Sequence, residues 1–247
     1  MSYVINNQPF SEIEIITTTR SGGFSETPFD SFNMSYEVGD DPEAVLKNRN
    51  LLIKELDIEP SNLIIPNQKN KDNIVKIETI FDGRDTDSLY TYNKDIALSI
   101  IHSNCVPIFI YVPSKGLIGA IHCSKSGAFL EITRKFIKHL KAKEHVKPEE
   151  IYAFFGPGIS FAHIEATPED IKKAENLGYL SCCKVVTGAA HLDVNLMNYL
   201  QLRKEGVPSS HIIQSKYDTY DNSNLFYSSS RNRVTGRMLS VIRFKQN

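Results

Sequence analysis

Apolar and polar residues recur along this chain with two different periods, and the switches between them outline its elements. Short β-branched and aromatic runs predict strands at Ile13–Thr18, Ile96–Ile101, Val106–Val112, Leu117–His122 and Ile151–Phe155. Pro113-Ser114-Lys115-Gly116 has the residues of a tight turn, so the runs on either side of it are expected to form a hairpin. Other segments repeat with helical spacing. Asp41 is placed to cap a helix with Pro42 at its first position and Glu43 at its positive end, and Leu46, Leu52, Ile53 and Leu56 form its stripe. A second helix is expected after Gly127, with Phe129, Ile132, Phe136, Ile137 and Leu140 on one face. A third runs from Thr167-Pro168-Glu169-Asp170 to Gly178. A fourth starts near Asp193, carries Leu196, Met197 and Leu200, and stops at Gly206.

Helices and strands interleave, but a hairpin is mixed in, which predicts a mixed sheet rather than a doubly wound parallel one. No repeat, linker or compositional break divides the chain, so one domain over residues 1–247 is expected. With 41% hydrophobic and 23% charged residues, the chain can bury a sizeable core. Its net charge is -1, and lysines are interleaved with acids, as in Lys147-Pro148-Glu149-Glu150. Neither nucleic acid nor a membrane is therefore expected as a partner. The first residues lack the basic start and apolar run of a leader, and no stretch approaches the roughly 18 apolar residues of a membrane span. Four cysteines in 247 residues do not make a disulfide framework. Reduced thiols in a cytoplasm are expected.

Chemistry concentrates in the middle of the chain, in Gln68-Lys69-Asn70-Lys71, His102-Ser103-Asn104-Cys105 and His122-Cys123-Ser124-Lys125-Ser126-Gly127. Cys105 precedes the first strand of the hairpin and His122 ends the second, so local topology brings the two within reach. A thiol beside an imidazole can act as a nucleophile, or the two can share a zinc or copper ion. A packed cysteine and a hydrogen-bonded histidine are the purely structural alternative. His102, three residues before Cys105, is a candidate further metal ligand. Cys123 points to the opposite strand face and is expected in the core, while Cys182-Cys183 lies far from the cluster.

Nearly the whole chain resembles the YfiH/YlmD family of laccase-domain, or multicopper polyphenol oxidoreductase, proteins, later linked to purine nucleoside phosphorolysis. Thr18-Thr19-Arg20 with Gly22-Gly23 is similar to its N-terminal segment. Ser31-Phe32-Asn33-Met34, Val38-Gly39-Asp40-Asp41 and Asn48-Arg49 follow its next elements. Gly156-Pro157 with His163-Ile164-Glu165, then Phe226-Tyr227-Ser228 and Thr235-Gly236-Arg237-Met238, match its later ones. The resemblance implies an α+β fold of layered mixed sheets flanked by helices, shared with cytotoxic-necrotizing-factor toxins. It also implies a trio of two histidines and a cysteine that falls on Asn70, Cys105 and His122. An aspartate of the pattern falls on Asn104, a Trp-Arg pair on Lys125 and Ser126, and a Tyr-Arg pair on Ser229 and Ser230. Arg231 is the candidate shifted replacement for that arginine.

The resemblance implies phosphorolysis or deamination of a purine nucleoside such as adenosine or inosine, with phosphate as co-substrate. Cys105 and His122 would be catalytic, and Arg20, Gln68, Asn70 and His163 would line the pocket. With Asn70 in place of an imidazole, zinc or copper would be held weakly at Cys105, His122 and His102, or no metal would be held. Two other functions stay open: a metal-free Cys–His amide hydrolase or deamidase, and a non-catalytic binding protein. A multicopper oxidase is disfavoured, because seven scattered histidines without an HxH motif do not hold several coppers.

Overall fold

The computed structural model describes residues 3–5, 10–79 and 85–245. Part of the N-terminal stretch read for a leader lies outside the described residues. In chain order the strands begin with β1 (Tyr3–Ile5), β2 (Ile13–Thr18), β3 (Leu63–Ile64), β4 (Ile74–Lys76) and β5 (Ser88–Thr91). The central ones are β6 (Ala97–His102), β7 (Val106–Val112), β8 (Leu117–Cys123) and β9 (Tyr152–Phe155). A small pair, β10 (Cys183–Val186) and β11 (Ala189–Leu192), is followed by β12 (Ile212–Ile213) and β13 (Met238–Phe244). The helices are α1 (Pro42–Leu56), α2 (Lys125–Phe129), α3 (Ile132–Lys143), α4 (Pro168–Asn176) and α5 (Val194–Lys204).

Two mixed sheets stack face to face. One has the order β1-β2-β13-β6-β3, the other β12-β9-β7-β8-β5-β4. Alternation along each strand explains the layering. In β2, Ile13 and Ile15 point between the sheets, where they meet Leu98, Ile100, Phe109, Ile118 and Phe154. Ile16, from the opposite face, meets Leu52 and Leu56 of α1. On the far side, Ile108, Ile110 and Ile121 pack against Phe136, Ile137 and Leu140 of α3 and Met197 of α5. The result is four layers, helix–sheet–sheet–helix, in agreement with the expected α+β arrangement. The strand readings at Ile13–Thr18 and Val106–Val112 agree with β2 and β7 to the residue.

Two helices differ from the expected pattern. Leu46 is 51% exposed, because the buried stripe of α1 runs through Ala44, Val45, Asn48, Leu52 and Leu56. The segment after His122 starts its helix earlier than expected, at Lys125, where Ser124 accepts the Gly127 amide at 3.0 Å. It then breaks at Glu131, whose φ of 55° is left-handed, before α3 begins.

Candidate functional site

The hairpin register sets the site. Val106 pairs with Cys123 and Pro107 with His122, so Cys105 enters β7 beside the residues that leave β8. Both side chains line a cavity of about 530 Å³ between the ends of the two sheets, shared with Gln68, Asn70, His102 and Ser229. A second cavity of about 310 Å³ opens on the other side of Cys105, lined by Asn104, Lys125, His163 and Ser230.

His122 is buried and held from behind by a residue the sequence did not single out. Its Nδ1–H donates to Asp87 Oδ1 at 2.8 Å, and its backbone amide donates to the Asp87 carbonyl at 2.7 Å. Asp87 itself is 1% exposed. Its other oxygen, Oδ2, accepts the Lys69 amide at 3.1 Å and the Lys71 amide at 2.8 Å. One carboxylate therefore fixes the imidazole tautomer and the loop that carries Asn70. Burial would push the Asp87 pKa up, but the His122 hydrogen bond and the two loop amides hold it below its ordinary value. At His122, burial lowers the pKa, and the Cys105 charge with the Asp87 hydrogen bond more than reverse this, raising it to about 9. The shift favours the charged form of the ring.

Gln68 acts as a staple: its Nε2 donates to the Ile101 carbonyl and its Oε1 accepts the Ile101 amide, both at 2.8 Å. Asn70 follows at a left-handed φ of 56°, exposed on the cavity wall. His163 lines the second cavity, where it stacks on Tyr220 at 3.9 Å and donates to Asp221 at 2.9 Å.

Two expected roles do not fit the geometry. Arg20 lines neither of these cavities. Its Nη2 pairs with Asp30 at 3.1 Å, its Nη1 donates to the Ser223 carbonyl at 3.3 Å, and the guanidinium lies over the Tyr227 ring at 5.2 Å, so its hydrogen bonds are spent on Asp30 and Ser223. His102 does line the main cavity, but its Nε2 is 2.7 Å from Ser240 Oγ, and its Nδ1 is buried without a partner. Burial and then the His122 charge push its pKa down to about 3. The ligand atoms of Cys105, His122 and His102 do not close into a metal trio. Among the described residues, the set lying within 4.8 Å of one another is His163, Asp218 and Asp221. Cys105 and His122 therefore offer a metal two donors where a catalytic zinc site uses three.

The departures from the family pattern sit next to one another. Asn104 Nδ2 donates to Ser230 Oγ at 2.7 Å and to Ser229 Oγ at 2.9 Å, and Asn104 Oδ1 accepts from Ser228 Oγ at 2.8 Å. Positions at which the resemblance places an aspartate and an arginine are thus joined here by a neutral hydrogen bond. Arg231 does not replace that arginine, since its guanidinium donates to the Thr219, Tyr220 and Phe226 carbonyls. Lys125 is drawn away too, pairing with Asp170 at 2.6 Å, because β8 ends at Cys123 and a helix begins.

A cysteine facing a carboxylate-held histidine, at the joint of two stacked mixed sheets, defines a thiol–imidazole site suited to proton transfer and nucleophilic chemistry. The family described as multi-copper polyphenol oxidoreductase laccase matches residues 14–245, and the chain belongs to it. Curated relatives include purine nucleoside phosphorylase YlmD of Bacillus subtilis, 30% identical over 97% of this chain and 91% of that protein. A purine nucleoside phosphorylase of Corynebacterium glutamicum is 31% identical over 92% of each chain. The crystal structure of YlmD from Geobacillus stearothermophilus superposes with a TM-score of 0.91 at 29% identity, over 97% of this chain and 94% of that one. Bacillus licheniformis YfiH superposes at 0.88 with 28% identity, over 94% and 93%. Among the described residues no helix is long and apolar enough to cross a membrane.

Proposed function

We propose that this protein is a purine nucleoside phosphorylase that acts on adenosine or inosine at the Cys105–His122 site. The observation that carries the reading is the buried Asp87–His122 pair, which presents an imidazole whose charged form is favoured to a polar cavity of about 530 Å³, a size suited to a small ligand. In phosphorolysis a phosphate oxygen bonds to ribose C1′ as the C1′–N9 bond breaks, and the electron pair leaves with the purine. His122 is the general acid that delivers a proton to the departing base, and it recovers one from the attacking hydrogen phosphate. Asp87 holds the ring for both transfers. Cys105 lines the same cavity beside the imidazole, next to the space the sugar of the transition state would occupy. Water attack at C6 of adenosine would use the same proton carrier, and deamination is a second outcome to assay.

The test is chromatographic detection of adenine or hypoxanthine together with ribose 1-phosphate, with and without phosphate. Phosphate-dependent release lost in Cys105→Ala supports the reading; release of neither base from wild type sinks it. One observation favours a second reading: Asp87 completes a Cys–His–Asp relay that needs no metal. In an amide hydrolase, Cys105 would attack the carbonyl, His122 would protonate the departing amine, and water would cleave the thioester. Phosphate-independent ammonia release from simple amides would select it. Absence of all three activities would select a binding protein.

A further inference from the structure

We infer that Arg49 and Arg237 form a subsite for a tetrahedral oxyanion of the orthophosphate type on the wall of the Cys105 cavity. Both arginines line that cavity, and both hang on one residue. Arg49 donates through Nε and Nη2 to the Met34 carbonyl at 2.9 and 2.7 Å. The Met34 amide donates to the Arg237 carbonyl at 3.0 Å. Asn33 Oδ1 accepts the Arg237 amide at 2.9 Å and completes the strut. The two cations are thereby set on the same short segment and face the same space.

Neither cation is neutralised. Among the described residues no carboxylate oxygen lies within 4.0 Å of either guanidinium. Among the described residues their side-chain hydrogen bonds go to carbonyls: Met34 for Arg49, and Thr235 with Gly236 through Nη1 for Arg237. Among the described residues, nothing accepts a hydrogen bond from Nη1 of Arg49 or from the Nε and Nη2 edge of Arg237. Burial lowers the pKa of both groups, the mark of a cation removed from water without a counter-ion. Tyr36 lies against Arg49 at 4.3 Å and holds its plane. Glu37, the acidic neighbour on the wall, is paired with Lys69 at 3.6 Å.

Two half-solvated planar forks with free N–H edges match an oxyanion with several equivalent oxygens. The subsite supplies the cationic groups that Ser126, Ser230 and the diverted Lys125 do not. It deepens the proposed phosphorolysis, on which its assignment to the co-substrate rests, but binding itself is testable without turnover.

The test is isothermal titration of the full chain with orthophosphate in a phosphate-free buffer, with Arg49→Gln, Arg237→Gln and, as a charge control, Lys173→Gln. Expected is saturable binding to wild type and to K173Q, weakened at least about tenfold (about 1.4 kcal/mol) in each arginine variant. Thermal melts identify a variant that fails to fold, and Arg49→Lys and Arg237→Lys, which keep the charge but not the fork, then decide. No binding to wild type, or binding unchanged in the folded arginine variants, overturns the inference. Adenosine 5′-monophosphate is titrated in parallel. Binding of the ester more than about tenfold tighter than that of orthophosphate overturns the assignment to free phosphate. Intact phosphate binding without nucleoside cleavage would leave the subsite standing and remove the phosphorylase reading instead.

Discussion

Asp87→Asn is the sharpest perturbation of this site. The carboxylate accepts three hydrogen bonds, from His122 Nδ1 and from the Lys69 and Lys71 amides. An amide of the same shape has one accepting oxygen, so at least one of these donors would face an NH2 group. If the oxygen stays with the loop, His122 loses its partner and the preferred tautomer with it. If it stays with His122, the loop carrying Asn70 is released. The His122 pKa, raised from 6.5 to about 9, corresponds to about 3 kcal/mol of preference for the charged ring at roughly 1.4 kcal/mol per unit. Asp87 and His122 share one interaction, so it is counted once, on the histidine.

The sign follows from the direction of the shift. A raised pKa contributes stability that is complete below about pH 6.5 and is lost as pH rises through about 9. Asp87, held low, contributes stability above its unfolded value of about 3.9 that is lost only as pH falls through its lower folded value. Urea unfolding of wild type between pH 6.5 and pH 10 should therefore show a decline of about 3 kcal/mol. In Asp87→Asn the protein should be less stable at pH 7 and the decline shallower. The His122 ring, followed by NMR, should titrate at least about one unit lower. An unchanged His122 midpoint in the variant would refute the clamp.

Cys105→Ala should lower product release at least about a hundredfold and lower the His122 midpoint, to which Cys105 contributes; turnover near wild type would remove the thiol from the mechanism. Gln68→Ala removes both bonds to Ile101 and should cost about 2 kcal/mol in urea unfolding at about 1 kcal/mol per bond; an unchanged midpoint would mean the staple contributes nothing. Gly236→Ala puts a Cβ at 2.6 Å from the Tyr227 ring, so a loss of about 1–3 kcal/mol is expected, together with weaker phosphate binding as Arg237 shifts. Asn70→His adds an imidazole beside Cys105 and His122, at a left-handed φ that histidine tolerates. Elemental analysis should find zinc well above the wild-type content and dependent on Cys105, and equal content in both proteins would count against a site limited by its third ligand.

What the sequence determined by itself was set by short-range patterning. Apolar period and turn chemistry located β2, β7, β8 and four helical segments, because each of those signals is written in neighbouring residues. The hairpin alone was enough to bring Cys105 to His122, since a tight turn dictates which strand ends meet. Asp87 carried no such mark. It lies 35 residues before His122, ahead of the strand β5, whose four residues are too few to declare a period. Its role arises only when β5 pairs with β8. Arg49 and Arg237 were visible as letters in matching motifs, but their lack of carboxylate partners depends on what folds around them. Arg20 shows the converse: a motif arginine whose charge Asp30 takes up once the 20–31 loop closes. Pairwise spacing along a chain determines elements and hairpins, whereas the partners of a buried charge come from distant segments, and tertiary packing decides which of them arrive.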